Sequence, residues 1–285
     1  MSDKEIMPDF DQLWDYSHPD ETESRFRQLL SNPPQDVSYH AQLLTQIGRA
    51  QGLQRKFAEA HATLDEAQSL LTADLRQARI RYLLERGRVF NSSKQPDKAR
   101  PFFLEAWEMA KAAQEDFYAI DAAHMMGIIE PAEEQFAWNL RAVAVAEKSS
   151  EPRERRWLGS LFNNMGWAYH GQGQFEKALA CFQKALQYRE EYGPPTEIRV
   201  ARWCIARALR SLERTEEALA MQKALLGEND GYVYEEMAEC LTILGRSTEA
   251  RPYFELAYRQ LSQDPWLVEN EPARLERLRA LGEIH

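Results

Sequence analysis

The stretch "NNMGWAY", residues 163 to 169, places two adjacent asparagines, Asn163 and Asn164, just ahead of Trp167 in a run with helical periodicity. Asparagine is a poor helix former because its amide competes for nearby backbone groups, so two in succession are costly unless the amides are used. A carboxamide can donate to and accept from the backbone of an extended peptide, while a guanidinium takes a carboxylate or phosphate. Trp203 and Arg207 supply an indole and a guanidinium one turn apart, and His124 and Glu235 add an imidazole and a carboxylate. Together these groups suit the holding of a ligand. Groups for covalent chemistry are a different matter. The sequence has no P-loop, no Gly-x-Ser-x-Gly, no Gly-x-Gly-x-x-Gly after a strand pattern, no His-Glu-x-x-His and no Cys-x-x-Cys. Its histidines, at 18, 40, 61, 124, 170 and 285, form no pair at helical ligand spacing. Adjacent carboxylates such as Glu133 with Glu134, or Glu235 with Glu236, stand in a chain with 45 acidic residues, where such pairs are ordinarily solvated helix faces.

The chain as a whole sets further limits. Its 285 residues suffice for two ordinary domains or one elongated array. The 35 basic residues leave a net charge of −10, which argues against a general nucleic-acid surface. The opening "MSDKEIMPDFDQLW" is acidic and lacks an apolar core, and no later stretch approaches the length of a membrane span. Cys181, Cys204 and Cys240 are far apart and lie within helical patterns, as packed free thiols do in a reducing compartment. We therefore expect a cytoplasmic protein without membrane, disulfide framework, metal or cofactor.

The elements that position these groups are repeated. From Gly166, residues Ala178, Phe182 and Ala185 follow at 12, 16 and 19 positions, and the same ruler fits six times. The sets start at Gly48, Gly87, Gly127, Gly166, Ala206 and Ala238, separated by 39, 40, 39, 40 and 32 residues. In each set one small residue falls near the end of a first helix and the next falls early in a second, so the two backbones approach closely where they cross. The large apolar residue then fills the gap. Links such as "HGQGQ", "NSSKQPDK" and "LGRSTEA" reverse the chain between the two helices. The third set, Gly127, Asn139, Val143 and Ala146, departs at Asn139 and has Pro131 in its link; the fifth departs at Gln222. Outside the sets, "FDQLWDY" and "ETESRFRQLL" read as two helices with a break at "SNPPQD", and "PARLERLRALG" reads as a final helix.

On these residues, and on "NNMGWAYHGQGQFEKALACFQKALQYREEYG" above all, the chain resembles tetratricopeptide-repeat proteins of the longer-repeat kind. The resemblance implies an all-α, right-handed superhelix, an α-solenoid of antiparallel helical hairpins. Residues 1–37 would close its N-terminal end, residues 38–262 would form six repeats, and residues 263–285 would cap the C-terminus, all as one domain. In such arrays the first helix of each hairpin lines a groove. The corresponding offsets place His124, Asn163, Asn164, Trp167, Trp203, Arg207 and Glu235 on that surface as candidate binding residues. Each has a plainer reading. Trp167 and Trp203 equally suit core filler, His124 suits a satisfied structural histidine, and Arg207 suits a surface pair with a neighbouring acid. Chaperone-tail binding is disfavoured. The resemblance would place a clamp of lysines, asparagines and an arginine in the groove, and only Asn164 fits, with His124, Ile128, Val200 and Cys204 at the other places. The implied function is non-enzymatic binding of a protein or peptide segment by a monomer or weak homodimer. The alternative is a peptide- or small-ligand-sensing regulator of a signalling or transcription partner, and an enzyme ranks third.

Overall fold

The computed structural model describes residues 8–30, 36–227 and 229–283, and every regular element among them is helical. The break expected at residues 31–35, and His285, lie outside the described residues. The chain separates into two compact units, one ending at Glu154 and one starting at Arg155.

The first unit opens with α1 (Phe10–Leu13) and α2 (Pro19–Leu30). Three antiparallel hairpins follow: α3 (Val37–Leu53) with α4 (Phe57–Ser69), α5 (Arg76–Ser92) with α6 (Pro96–Ala113), and α7 (Asp116–Ile129) with α8 (Ala132–Ala146). The short helix α9 (Pro152–Arg155) spans the boundary. The second unit pairs α10 (Trp157–Gly171) with α11 (Phe175–Tyr192), α12 (Pro195–Ser211) with α13 (Thr215–Ala224), and α14 (Gly231–Ile243) with α15 (Ser247–Leu261). It ends in α16 (Pro265–Asn270) and α17 (Pro272–Leu281). The fold class is all-α, a solenoid type built from antiparallel hairpins.

The crossings have the geometry that the small residues demand. A Cβ added at Gly166 would lie 2.4 Å from the Phe182 ring, one at Gly87 would lie 2.5 Å from Phe103, and one at Gly48 would lie 2.9 Å from Leu64. The large side chain therefore sits directly beneath the glycine, and Phe103, Phe182 and Leu64 are fully buried there. Chain reversal is equally regular. Arg55, Lys94, Gly173, Glu213 and Gly245, each seven residues after the small residue of its set, adopt the left-handed conformation with φ between 59° and 74°. Glycine fits that geometry without cost, while Arg55, Lys94 and Glu213 carry a modest strain.

The third hairpin requires a correction. Its first helix ends two residues after Gly127, whereas α3, α5 and α10 run five residues past their glycines. Its link, Glu130 and Pro131, is one residue shorter than the three-residue links elsewhere. The two deficits, three and one, sum to four residues, one helical turn. The residue beneath Gly127 is consequently Asn139, whose Nδ2 would lie 2.7 Å from an added Cβ, and not Val143. Asn139 donates to the Gln135 carbonyl at 2.9 Å, and Ala142 takes the small-residue place that the ruler gave to Ala146. Pro131 causes the shift. It excludes the helical conformation from Glu130, which is extended with ψ 157°, so α7 stops early.

The fifth hairpin tolerates its misfit at a cost. Gln222 is fully buried, and neither its Oε1 nor its Nε2 has a hydrogen-bond partner among the described residues. Gln222→Met keeps an unbranched chain of similar length while removing two unsatisfied polar atoms. It is expected to stabilise the protein by about 1–3 kcal/mol, and a thermal melt that fails to rise would show that those atoms are solvated.

The three cysteines are buried and unbridged. Burial pushes the Cys204 and Cys240 thiols up to about 12, so neither is a nucleophile at neutral pH. Among the described residues no helix is long and apolar enough to cross a membrane.

Candidate functional site

Six of the seven candidate residues lie in the second unit, on α10, α12 and α14. Trp167, Trp203 and Tyr232 form a diagonal ladder across these three helices. The Trp167 and Trp203 rings are 5.9 Å apart, and Trp203 and Tyr232 are 6.1 Å apart. The Arg274 guanidinium from α17 completes the row, 5.3 Å from the Tyr232 ring. The ladder is part core and part surface. Trp167 packs edge-on against the buried Phe182 at 5.2 Å, while Tyr232 is 39% exposed and Val200, beside the ladder on α12, is 49% exposed. The Trp203 indole N–H donates to the Tyr232 carbonyl at 3.1 Å, which fixes α12 against α14.

The two asparagines have different roles. Asn163 accepts a weak hydrogen bond from the Cys204 thiol at 3.4 Å, an internal use of its amide. Asn164, one position on, is partly exposed, and no hydrogen bond of its amide exists among the described residues. It lies three residues before Trp167, so the two share a helix face.

Arg207 has an acid partner. Its Nε is 3.0 Å from Glu236 Oε1, and its Nη1 donates to Ser211 Oγ at 2.7 Å. Glu236 also accepts two hydrogen bonds from Arg210, at 2.7 and 2.8 Å, so one carboxylate serves two guanidiniums. The sharing is unequal. Burial lowers the proton affinity of Arg207, and the Arg210 charge adds to that, against the pull of Glu236. Arg210 faces the same burial, but its hydrogen bonds to Glu236 leave it raised. Arg207 is thus the less compensated cation. His170 Nε2 and Ser211 Oγ, 2.9 Å apart, extend the network toward α10.

Glu235 is committed elsewhere. It is buried, and Arg274 grips both its oxygens at 3.1 Å while also pairing with Glu271 at 2.9 Å. Arg277 Nη1 pairs with Glu239 Oε1 at 2.5 Å. These pairs bind α17 to α14. The acids of α14, spaced four apart, and the arginines of α17, spaced three apart, carried a pairing signal that the offsets of the first helices alone could not supply.

His124 lies in the first unit, on α7, among charged side chains. Burial pushes it down to about 4, with Asp121 pulling the other way, so the imidazole is neutral at pH 7. Around it, Arg88 donates to Glu85 at 2.7 Å and pairs with Asp121, and Arg49 reaches Glu85 at 3.3 Å. Tyr232, Arg210 and Ser211 are the residues of the second-unit face that sequence reasoning did not single out. Tyr232 was legible from its offset before Ala238; Ser211 was not, because it follows the last inward-facing position of α12.

Residues 160–192 match the family model for the tetratricopeptide repeat. This is the hairpin of α10 and α11, with its glycine seated on Phe182. That hairpin is a tetratricopeptide-type repeat, and the chain has the helical-repeat fold of that type. No curated relative matches the sequence. Solved tetratricopeptide-like structures do. The apo form of RapI superposes with a TM-score of 0.68 at 13% identity, covering 96% of this chain and 82% of that one. The apo quorum sensor NprR from B. thuringiensis gives 0.67 at 14% identity, covering 95% and 79%. NprR in complex with its cognate peptide NprX gives 0.57 at 16%, covering 95% and 82%. At these identities the likeness is one of fold. Among the described residues no group of three or more histidine, cysteine, aspartate or glutamate side chains is arranged to hold a metal.

Proposed function

We propose that this tetratricopeptide-type protein is a non-enzymatic binding module that holds a protein segment or peptide on the shared face of α10, α12 and α14. The observation that carries the reading is the Asn164 amide, partly exposed and without an internal hydrogen bond, beside a row of aromatic rings. An amide at that place satisfies the backbone of an extended chain, and flat aromatic surface contributes contact area at low entropic cost. Arg207, less compensated than its neighbour, suits a carboxylate or phosphate on the bound segment. Glu235 contributes to the support of the site through α17.

A sensing role is the second reading, favoured by the likeness to a quorum sensor solved with its cognate peptide. It uses the same face and differs in consequence: the bound segment would alter a partner's activity. The test of the face is a pulldown from native lysate with wild type and with the Asn164→Ala, Arg207→Ala variant in parallel. The variant is expected to lose a partner that the wild type retains, with its far-UV circular dichroism unchanged. Undiminished capture by a folded variant would move the site away from these helices.

A further inference from the structure

The corresponding face of the first unit is already covered, and by the chain itself. Residues 8–16, "PDFDQLWDY", lie across α3 and α5. Phe10 is buried, stacked on Tyr39 at 4.7 Å and edge-on to Phe26 at 6.2 Å, with the Arg81 guanidinium 5.2 Å from its ring. Four residues later the Trp14 indole N–H donates to Gln46 Oε1 at 2.9 Å, and Arg49 lies 5.4 Å from the Trp14 ring and 5.3 Å from Tyr16. Gln46, Arg49 and Arg81 hold in this unit the offsets that bear candidate ligand groups in the other.

Two features separate this segment from ordinary core. First, Arg81 is only 9% exposed and has no carboxylate partner among the described residues; its contacts are the Tyr118 hydroxyl, at 2.7 Å, and the rings of Phe10 and Tyr118. A buried cation without a counter-ion is unfavourable and favours an anionic neighbour. In sequence the segment that places Phe10 on it is acidic and has no basic residue. Second, the downstream end of the segment has its own attachment. Asp15 is clipped to α2, its N–H donating to Thr22 Oγ1 and its carbonyl accepting from the same hydroxyl, both at 3.0 Å. Upstream of that clip stands a four-residue helix, too short to persist alone, held by two aromatic anchors and by the Tyr39 hydroxyl donating to the Pro8 carbonyl at 3.0 Å.

We propose that the α3 and α5 face is a receptor for an acidic segment with aromatic residues four apart, and that residues 8–16 are its resident occupant, displaced when an external segment of that chemistry binds. Anchors at i and i+4 are how a short helix enters such a surface. Tethering gives the resident a high effective concentration, so an external segment competes poorly until the resident is weakened.

The test uses the full chain and a labelled synthetic peptide, PDFDQLWDYS, copied from residues 8–17. The Phe10→Ala, Trp14→Ala protein is expected to bind this peptide about ten-fold or more tighter than wild type, and adding Arg81→Gln is expected to abolish that gain. In wild type, saturating peptide is expected to accelerate amide exchange at residues 10–14 while α3 stays protected. This exchange measurement decides the matter even where the double variant does not fold. Equal affinity of both proteins, no binding by a folded variant, or α1 amides as slow as those of α3 and unmoved by peptide would each overturn the proposal and make the segment fixed core.

Discussion

Arg88→Leu is expected to destabilise the first unit by about 3–5 kcal/mol at pH 7, the effect of breaking a buried ion pair from one side. Arg88 is the cation between two acids on neighbouring helices, Glu85 on its own helix and Asp121 on α7, with side-chain exposures of 3% and 6%. Glu85 keeps Arg49 at 3.3 Å after the substitution, but its Oε2 is already buried without a partner. Asp121 loses the group that keeps it ionised. Burial raises its carboxyl, and the charge and hydrogen bond of Arg88 outweigh that, leaving it below the usual carboxylate range. The pH dependence follows from these signs. In wild type the depressed carboxyl contributes stability above the unfolded value, about 3.9, and loses it as pH falls through the lower folded value. In the variant burial dominates, so the folded value rises above the unfolded one and protonation relieves the penalty. The deficit is therefore expected to shrink between pH 7 and pH 4, read from urea unfolding at both. A deficit that is equal at the two pH values would show that Asp121 does not depend on Arg88.

What the sequence made legible, and what it hid, follows from the range of the forces involved. Crossings such as Gly166 over Phe182 were readable because the steric demand recurs at a fixed offset within one hairpin. The register of the third hairpin was not, since Pro131 acts through where α7 stops, and a helix that ends one turn early moves Asn139 into the place of Val143. Of the candidate site, the aromatic row was legible from offsets alone, including Tyr232. Pairing was harder to see. Arg207 with Glu236, and Glu235 with Arg274, join residues 29 and 39 positions apart, and in a chain rich in both charges many alternative partners satisfy the same pattern. His124 shows the same limit, because the burial that makes it neutral, and the Arg88 charge from α5 that adds to it, come from packing between helices, while the nearby Asp121 on its own helix pulls the other way.

That difficulty bears on the second large effect, which concerns Glu236. It is 5% exposed and is the shared acceptor of Arg207 and Arg210. Glu236→Ala leaves two partly buried guanidiniums facing each other without a counter-ion, and is expected to cost about 3–5 kcal/mol. Arg207→Ala is a much milder change. Arg210 retains both its hydrogen bonds to Glu236, and Arg207 contributes only one ion pair and the contact to Ser211, so a loss near 1 kcal/mol is expected. Asn164→Ala, which removes an amide without an internal hydrogen bond and adds a better helix former, is expected to leave the melt unchanged or raise it by up to about 0.7 kcal/mol. The order of the three separates two roles on one face. A residue that holds the fold lowers the melt when removed, whereas one that holds a ligand lowers capture while sparing the melt. Thermal melts of the three single variants decide between them. If Arg207→Ala costs as much as Glu236→Ala, Arg207 is a structural partner of that carboxylate and the binding face rests on Asn164 and the aromatic row alone. If it costs little and capture falls, the less compensated of the two arginines is the one that meets the ligand's negative charge.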